Sequence, residues 1–149
     1  MTLLERQARK AKDDAQAGVF HPVLTPDDSL FARMTRAGFL HATVRWRALA
    51  AARSDPVWDE CGVLQLARDE DEASAQRAGI AAAAPPGEYA QYVTREEATA
   101  HAGVPVAAEG LWFPTSGWMN PASLVDAQLA AAGSRLEARF DCEVARIAP

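Results

Sequence analysis

The residues of this chain best suited to chemistry lie in three short motifs. The densest is Gly110-Leu111-Trp112-Phe113-Pro114-Thr115-Ser116-Gly117-Trp118-Met119-Asn120-Pro121, which packs two tryptophans, two prolines and two glycines into twelve residues. Glycine and proline hold an irregular backbone there, and exposed indoles in such a loop are costly unless they cover something flat and apolar, such as a ring system. Two readings stay open: a tight turn with both indoles in the core, or the wall of a ring-binding cavity. The second motif is Gly18-Val19-Phe20-His21-Pro22, followed by Asp27-Asp28-Ser29-Leu30, and the third is Cys61-Gly62-Val63-Leu64-Gln65-Leu66.

Among titratable side chains, His41 and Arg45 fall with apolar neighbours on a helical wheel. They need either a local partner or a ligand cavity. As a site they are candidate substrate-binding residues; otherwise His41 is a core histidine bonded to backbone and Arg45 snorkels near the helix end. Arg33, Arg36 and Arg47 cluster on another arc, as a solvated face or a phosphate-touching stripe. Cys61 and Cys142 form no C-x-x-C pattern, so no metal site is expected, and both read as reduced thiols, Cys61 buried. Asp69-Glu70-Asp71-Glu72 is explained by the positive end of a helix without a metal. No catalytic base stands out.

The elements that must position these residues follow from local signals. Thr25-Pro26-Asp27-Asp28 reads as a helix start, with threonine as cap and proline in the first turn. That helix should run to about Arg53, with Leu30, Met34, Ala37, His41, Val44 and Ala48, flanked by Phe31, Gly38 and Leu49, as its core face. A buried strand is expected over 61–67, a helix from Asp69 to about Ala84 stopped by Pro85-Pro86-Gly87, and a strand over 89–93. Thr94 and Glu97 make a capping box for a short helix ending at Gly103. Residues 110–113 form a strand, 114–120 a loop, and Asn120-Pro121 opens a helix ended by Gly133. Extended segments follow over 135–140 and 143–147. Residues 1–17, highly charged, read as a solvated helix or frayed tail.

A chain of 149 residues with 49% hydrophobic content can bury a real core. Its net charge of −5 offers no overall attraction for nucleic acid, so any RNA must meet a local basic surface. No charged-then-apolar leader or membrane-length apolar run is present, and the expected location is cytoplasmic.

Taken in order, the three motifs resemble the oxidoreductase region of bifunctional tRNA wobble-uridine modification enzymes, within the D-amino acid oxidase-like FAD-dependent flavoproteins. The likeness runs from about Gly18 to the C-terminus. It implies an α+β fold, with a mostly antiparallel substrate-domain sheet packed by helices. The implied cofactor is FAD, with Gly18, Phe20, His21, Pro22, Gly117 and Trp118 around the flavin ring. The implied partner is tRNA, whose carboxymethylaminomethyl-uridine would be oxidised beside the amine and converted to aminomethyl with loss of glyoxylate. The chain departs from the family pattern in having no G-x-G, and Lys12-Asp13-Asp14-Ala15 stands where the family resembles Ala-Ser-Gly-Asn. It therefore reads as a charged segment, 1–17, and a partial oxidoreductase domain, 18–149. Such a part is expected to bind FAD weakly or not at all, to be inactive alone, and to self-associate through surface a cofactor domain would cover. Two other readings remain: an amino-acid or amine oxidase-like domain, and a non-catalytic RNA- or protein-binding remnant.

Overall fold

In the computed structural model, residues 2–4, 17–52, 56–140, 142, 143 and 145 are described. Their elements are β1 (Thr2–Leu4), β2 (Gly18–Phe20), α1 (Leu30–Ala51), β3 (Trp58–Asp59), β4 (Val63–Leu66) and α2 (Glu70–Ala83). After these come β5 (Gln91–Val93), α3 (Arg95–Ala102), β6 (Gly110–Phe113), β7 (Gly117–Met119), α4 (Pro121–Ala132), a 3-10 turn (Gly133–Arg135) and β8 (Glu137–Arg139). This is the expected α+β architecture with antiparallel sheets, joined by one short parallel pair, β1 with β8. The chain divides into two units: Val19–Arg45 with Trp58–Met119, and Met1–Gly18 with Trp46–Val57 and Asn120–Pro149.

In the first unit, β6 lies between β4 and β5 and pairs antiparallel with both. Val63 stands opposite Phe113, and both Gln65 and Tyr92 stand opposite Leu111. Side chains alternate along a strand, so these five share one face of the sheet, and Leu64 and Trp112 lie on the other. The first face carries the core, in which Leu111 and Phe113 pack with Phe39, Tyr89 and Ala90, joined by Phe20, Leu24 and Ile80. The opposite face carries α3, whose His101 stacks on Trp112.

The helix ends show why these segments are helical. Asp69 Oδ1 accepts the Glu72 N–H at 2.8 Å, with Glu70, Asp71 and Glu72 at the positive end of α2. The helix stops where Ala84 turns left-handed (φ 40°), just before Pro85. Thr94 and Glu97 form the expected capping box on α3, and Gly103 ends it at φ 68°. Asn120 caps α4 with Pro121 in its first turn.

Two expectations for α1 are corrected. Thr25 does not cap the helix: its carbonyl accepts Asp28 N–H at 3.1 Å in a tight turn that ends with Asp28 at φ 41°, a value no helix continues through. The cap is Ser29, whose Oγ accepts Ala32 N–H at 3.3 Å. The apolar stripe exists, but it faces outward. Ala32, Phe39, Thr43 and Leu49 are the buried positions, whereas Leu30, Phe31, Met34 and Val44 are exposed. The buried face tolerates Thr43 because its hydroxyl donates to Phe39 O at 3.1 Å within the helix.

Further corrections are local. Thr2–Leu4 is a strand, not part of a helix, and the helical reading of the rest of 1–17 falls outside the described residues, as does most of 143–147. Within the second unit, Asn120 N–H donates to Val57 O at 2.8 Å and Val57 N–H to Ser123 Oγ at 2.8 Å, clipping 57 to the start of α4. Cys61 is exposed, and the strand expected to be buried, β4, begins two residues later at Val63 and is half-buried along its length. The segment 114–120 is only partly a loop: 117–119 is strand β7. No helix among the described residues is long and apolar enough to cross a membrane.

Candidate functional site

The three motifs converge on one strand. β7 lies between β2 and β3, so Gly18-Val19-Phe20 and Gly117-Trp118-Met119 run side by side. On its other edge, Trp58 stands opposite Met119 and Asp59 opposite Trp118. The third motif joins through Gly62, whose N–H donates to Ser116 O at 2.8 Å. A turn closed by Ser116 N–H to Phe113 O at 3.2 Å links β6 to β7.

Around this strand, the Phe20 ring lies 6.0 Å from Trp58 and 6.1 Å from Phe39. The His21 ring is tilted against Phe113 at 5.3 Å. Its Nδ1 lies 2.9 Å from Pro22 O. A carbonyl only accepts, so Nδ1 is the donor in this contact. Pro22 and Gly117 are buried, Trp118 and Phe20 half-buried, Gly18 half-buried and His21 exposed. Trp118 is thus neither a closed core residue nor a free surface one. Beside His21 is a cavity of about 210 Å³ that Gln65, Glu72 and Gln76 also line. Gln76 Nε2 donates to Gln65 O at 3.5 Å, while its Oε1 is buried without a hydrogen bond among the described residues.

A Cβ at Gly117 would lie 1.9 Å from Asp59 O, so the glycine lets β3 approach β7. The two indoles separate: Trp112 leaves the core face to stack on His101, and Trp118 sits in the second sheet. His41 and Arg45 are exposed on the outer face of α1, outside the cluster of motifs, because the stripe that carries them faces away from the core. Arg36 of the basic arc is committed to Asp28 at 2.9 Å, which holds that carboxyl below its ordinary range.

Sequence reasoning missed Trp58, Asp59 and Ser116. The first two form a strand of two residues, too short for any periodicity. Ser116 is fully buried with an Oγ that takes no partner among the described residues, a property of packing alone.

An FAD-binding site needs a phosphate cradle as well as a ring wall. The described helix starts do not supply one. α2 and α3 open on acids, Glu70, Asp71 and Glu72 in one and Glu96 and Glu97 in the other, which repel a pyrophosphate. α1 follows Asp27 and Asp28; α4 opens without an acid, but Pro121 offers no N–H there and the Ser123 N–H is taken by Asn120; and no helix follows a G-x-G turn. The described residues therefore do not fit the whole cofactor; what they offer is an apolar wall with half-buried aromatics.

A family model described as FAD dependent oxidoreductase (DAO) matches residues 1–149. The chain is 48% identical over 149 residues to the tRNA 5-methylaminomethyl-2-thiouridine biosynthesis bifunctional protein MnmC of Paraburkholderia phytofirmans, covering 99% of this chain and 23% of that protein. It is 46% identical to MnmC of Paraburkholderia xenovorans over the same shares, and 46% identical to that of Cupriavidus necator over 135 residues, 89% of this chain and 20% of that protein. The chain thus spans less than a quarter of the length of these curated relatives. With the family model matching residues 1–149 of the chain, and with the antiparallel α+β fold in agreement, the chain belongs to the DAO family of FAD-dependent oxidoreductases.

Proposed function

We propose that this chain forms the substrate side of an FAD-dependent oxidoreductase of tRNA wobble-uridine modification, acting on the carboxymethylaminomethyl group as in MnmC-type proteins. The observation that carries the reading is the convergence of its motifs on β7, with Phe20, Trp118 and Trp58 around one strand. In this reading Gly18, Phe20, His21, Pro22, Gly117 and Trp118 wall the ring end of the cofactor. The phosphate end is held by elements these residues do not supply. Alone the chain is inactive and binds FAD weakly or not at all.

The partners in this reading are tRNA and a second copy of the chain, in the cytoplasm. His41 and Arg45, exposed on α1, serve as tRNA contacts rather than as groups around the reacting amine. A chain of net charge −5 needs such a local cationic surface to meet a polyanion.

The test is a chimera in which the chain replaces the 48% identical segment of the Paraburkholderia phytofirmans protein. Conversion of carboxymethylaminomethyl-tRNA is measured, with glycine and sarcosine as competing substrates. Retained tRNA conversion, lowered by Trp118→Ala more than melting temperature is lowered, supports the reading. A folded, flavin-loaded chimera that ignores tRNA but oxidises a small amine, or does neither, overturns it.

A further inference from the structure

Two glutamine amides meet at the cavity beside His21 with little to hold them. Gln76 is 7% exposed, its Oε1 is buried without a partner among the described residues, and its Nε2 reaches Gln65 O only at 3.5 Å, the outer limit of a hydrogen bond. Gln65, in β4, lines the same cavity, and its side-chain amide makes no hydrogen bond among the described residues. Buried polar atoms are nearly always paired, and an orphan acceptor destabilises until a donor reaches it. The last torsion of a glutamine is broad, so a small turn of the Gln76 amide presents Oε1 to the cavity for the loss of one long bond.

The rest of the lining narrows what that donor belongs to. Leu24, Pro26 and Leu111 are apolar. Arg68, through its backbone N–H and then its side chain, keeps the Glu72 carboxyl ionised, so Glu72 only accepts. No lysine or arginine among the described residues lines the cavity. A phosphate or a carboxylate is therefore disfavoured there, whereas a flat neutral group with an N–H on its edge is accommodated. At about 210 Å³ the cavity lies below the roughly 300–1,000 Å³ of sites for drug-sized ligands and suits a single ring.

We propose that this cavity holds the uracil ring of the wobble nucleoside by its N3–H edge, with Gln76 accepting from N3–H, the Gln65 amide donating to a ring carbonyl and the His21 imidazole at the mouth. The inference rests on the function proposed above and adds the residues that read the base. An enzyme that works on a base takes it out of its stack, and unpaired bases are read by hydrogen bonds along this edge and by rings stacked on them, histidine included. The 5-substituent projects from the side of the ring away from N3–H, so it stays outside the cavity. His21 directly follows β2, so the cavity adjoins the strands on which the motifs converge and leaves the substituent free to reach them.

The isotope-labelled 149-residue chain is titrated with uridine and with N3-methyluridine, which lacks only the N3–H donor, while the side-chain amide resonances of Gln65 and Gln76 are followed. The same titrations are made on Gln76→Leu. The expected result is millimolar binding of uridine that moves both amides, weakened at least tenfold by N3 methylation and by Gln76→Leu. Gln76→Leu should melt no lower than the parent, because it removes an orphan polar atom. Uridine that does not bind, that binds no better than its N3-methyl derivative, or that binds Gln76→Leu as well as the parent overturns the inference. Should Gln76→Leu unfold, the two nucleosides compared on the parent chain decide alone. Failure of uridine with tRNA conversion retained in the chimera overturns the base pocket only; a chimera that oxidises a small amine and ignores tRNA overturns the function beneath it.

Discussion

The Trp112 indole lies flat on the His101 imidazole, ring centroids 4.2 Å apart and planes 11° from parallel, and its far edge fills the space above Gly62. Gly62 has φ 84°, and a Cβ there would come within 1.9 Å of the indole. Three residues from β6, α3 and the approach to β4 are thereby locked together.

Gly62→Ala should therefore cost stability twice, through the left-handed backbone and through displacement of a ring held by its stack. A loss of about 2–4 kcal/mol is expected in urea denaturation. His101→Ala removes only the stack, for about 0.5–1.5 kcal/mol, and should change tryptophan fluorescence. Equal small effects for both variants would mean that the indole moves aside freely.

Gly117→Ala should separate β3 from β7. The clash is with the Asp59 carbonyl, a backbone atom that cannot rotate away as a side chain does. Amide exchange should quicken in Trp58–Asp59 and Gly117–Met119, while the sheet of β4, β6 and β5 keeps its protection. Unchanged exchange at β7 would refute the close approach of the two strands.

Acid should weaken the fold through two carboxylates on the helix entries. Asp28 is held below its ordinary 3.8 chiefly by the hydrogen bond from Arg36, and Glu72 below its ordinary 4.5 by the Arg68 backbone N–H and then the Arg68 side chain. Both carboxyls bind protons less readily folded than unfolded. Their contribution is complete above those ordinary values and is lost as pH falls through them toward the folded ones. In the double variant Asp28→Asn, Glu72→Gln the decline of stability between pH 5 and pH 3 should be shallower than in the parent chain. A curve as steep as the parent's counts against the pairing.

Tyr89 points the other way. Its phenol is buried in the core without a hydrogen-bond partner among the described residues, and burial pushes its pKa up to about 12, with Arg36 opposing. Below pH 10 both states hold the proton; as pH rises toward 12 the unfolded chain loses it first, and stability falls. Tyr89→Phe should remove this alkaline loss and, by deleting an unsatisfied polar group, raise stability at neutral pH by about 1 kcal/mol. A destabilised variant would reveal a partner for the hydroxyl.

Local chemistry was legible in the sequence where a few adjacent residues decide the outcome. The caps Asp69, Thr94 and Asn120, the stop at Gly103 and the strands 63–66 and 110–113 follow from side chains acting on their own backbone within one turn or one strand. The order of the three motifs likewise carried the family. The cap of α1 was displaced from Thr25 to Ser29 because two candidate hydroxyls four residues apart compete, and the turn at Asp28 decides between them. The face of α1 was beyond local reading altogether. Periodicity finds an apolar stripe but not the surface it meets, and here Ala32, Phe39 and Leu49 are buried while the more continuous stripe of Leu30, Met34 and Val44 is not. Only the tertiary structure could bring Gly117 against Asp59 and set β2 beside β7, since both contacts join residues distant in sequence and depend on how closely two backbones approach.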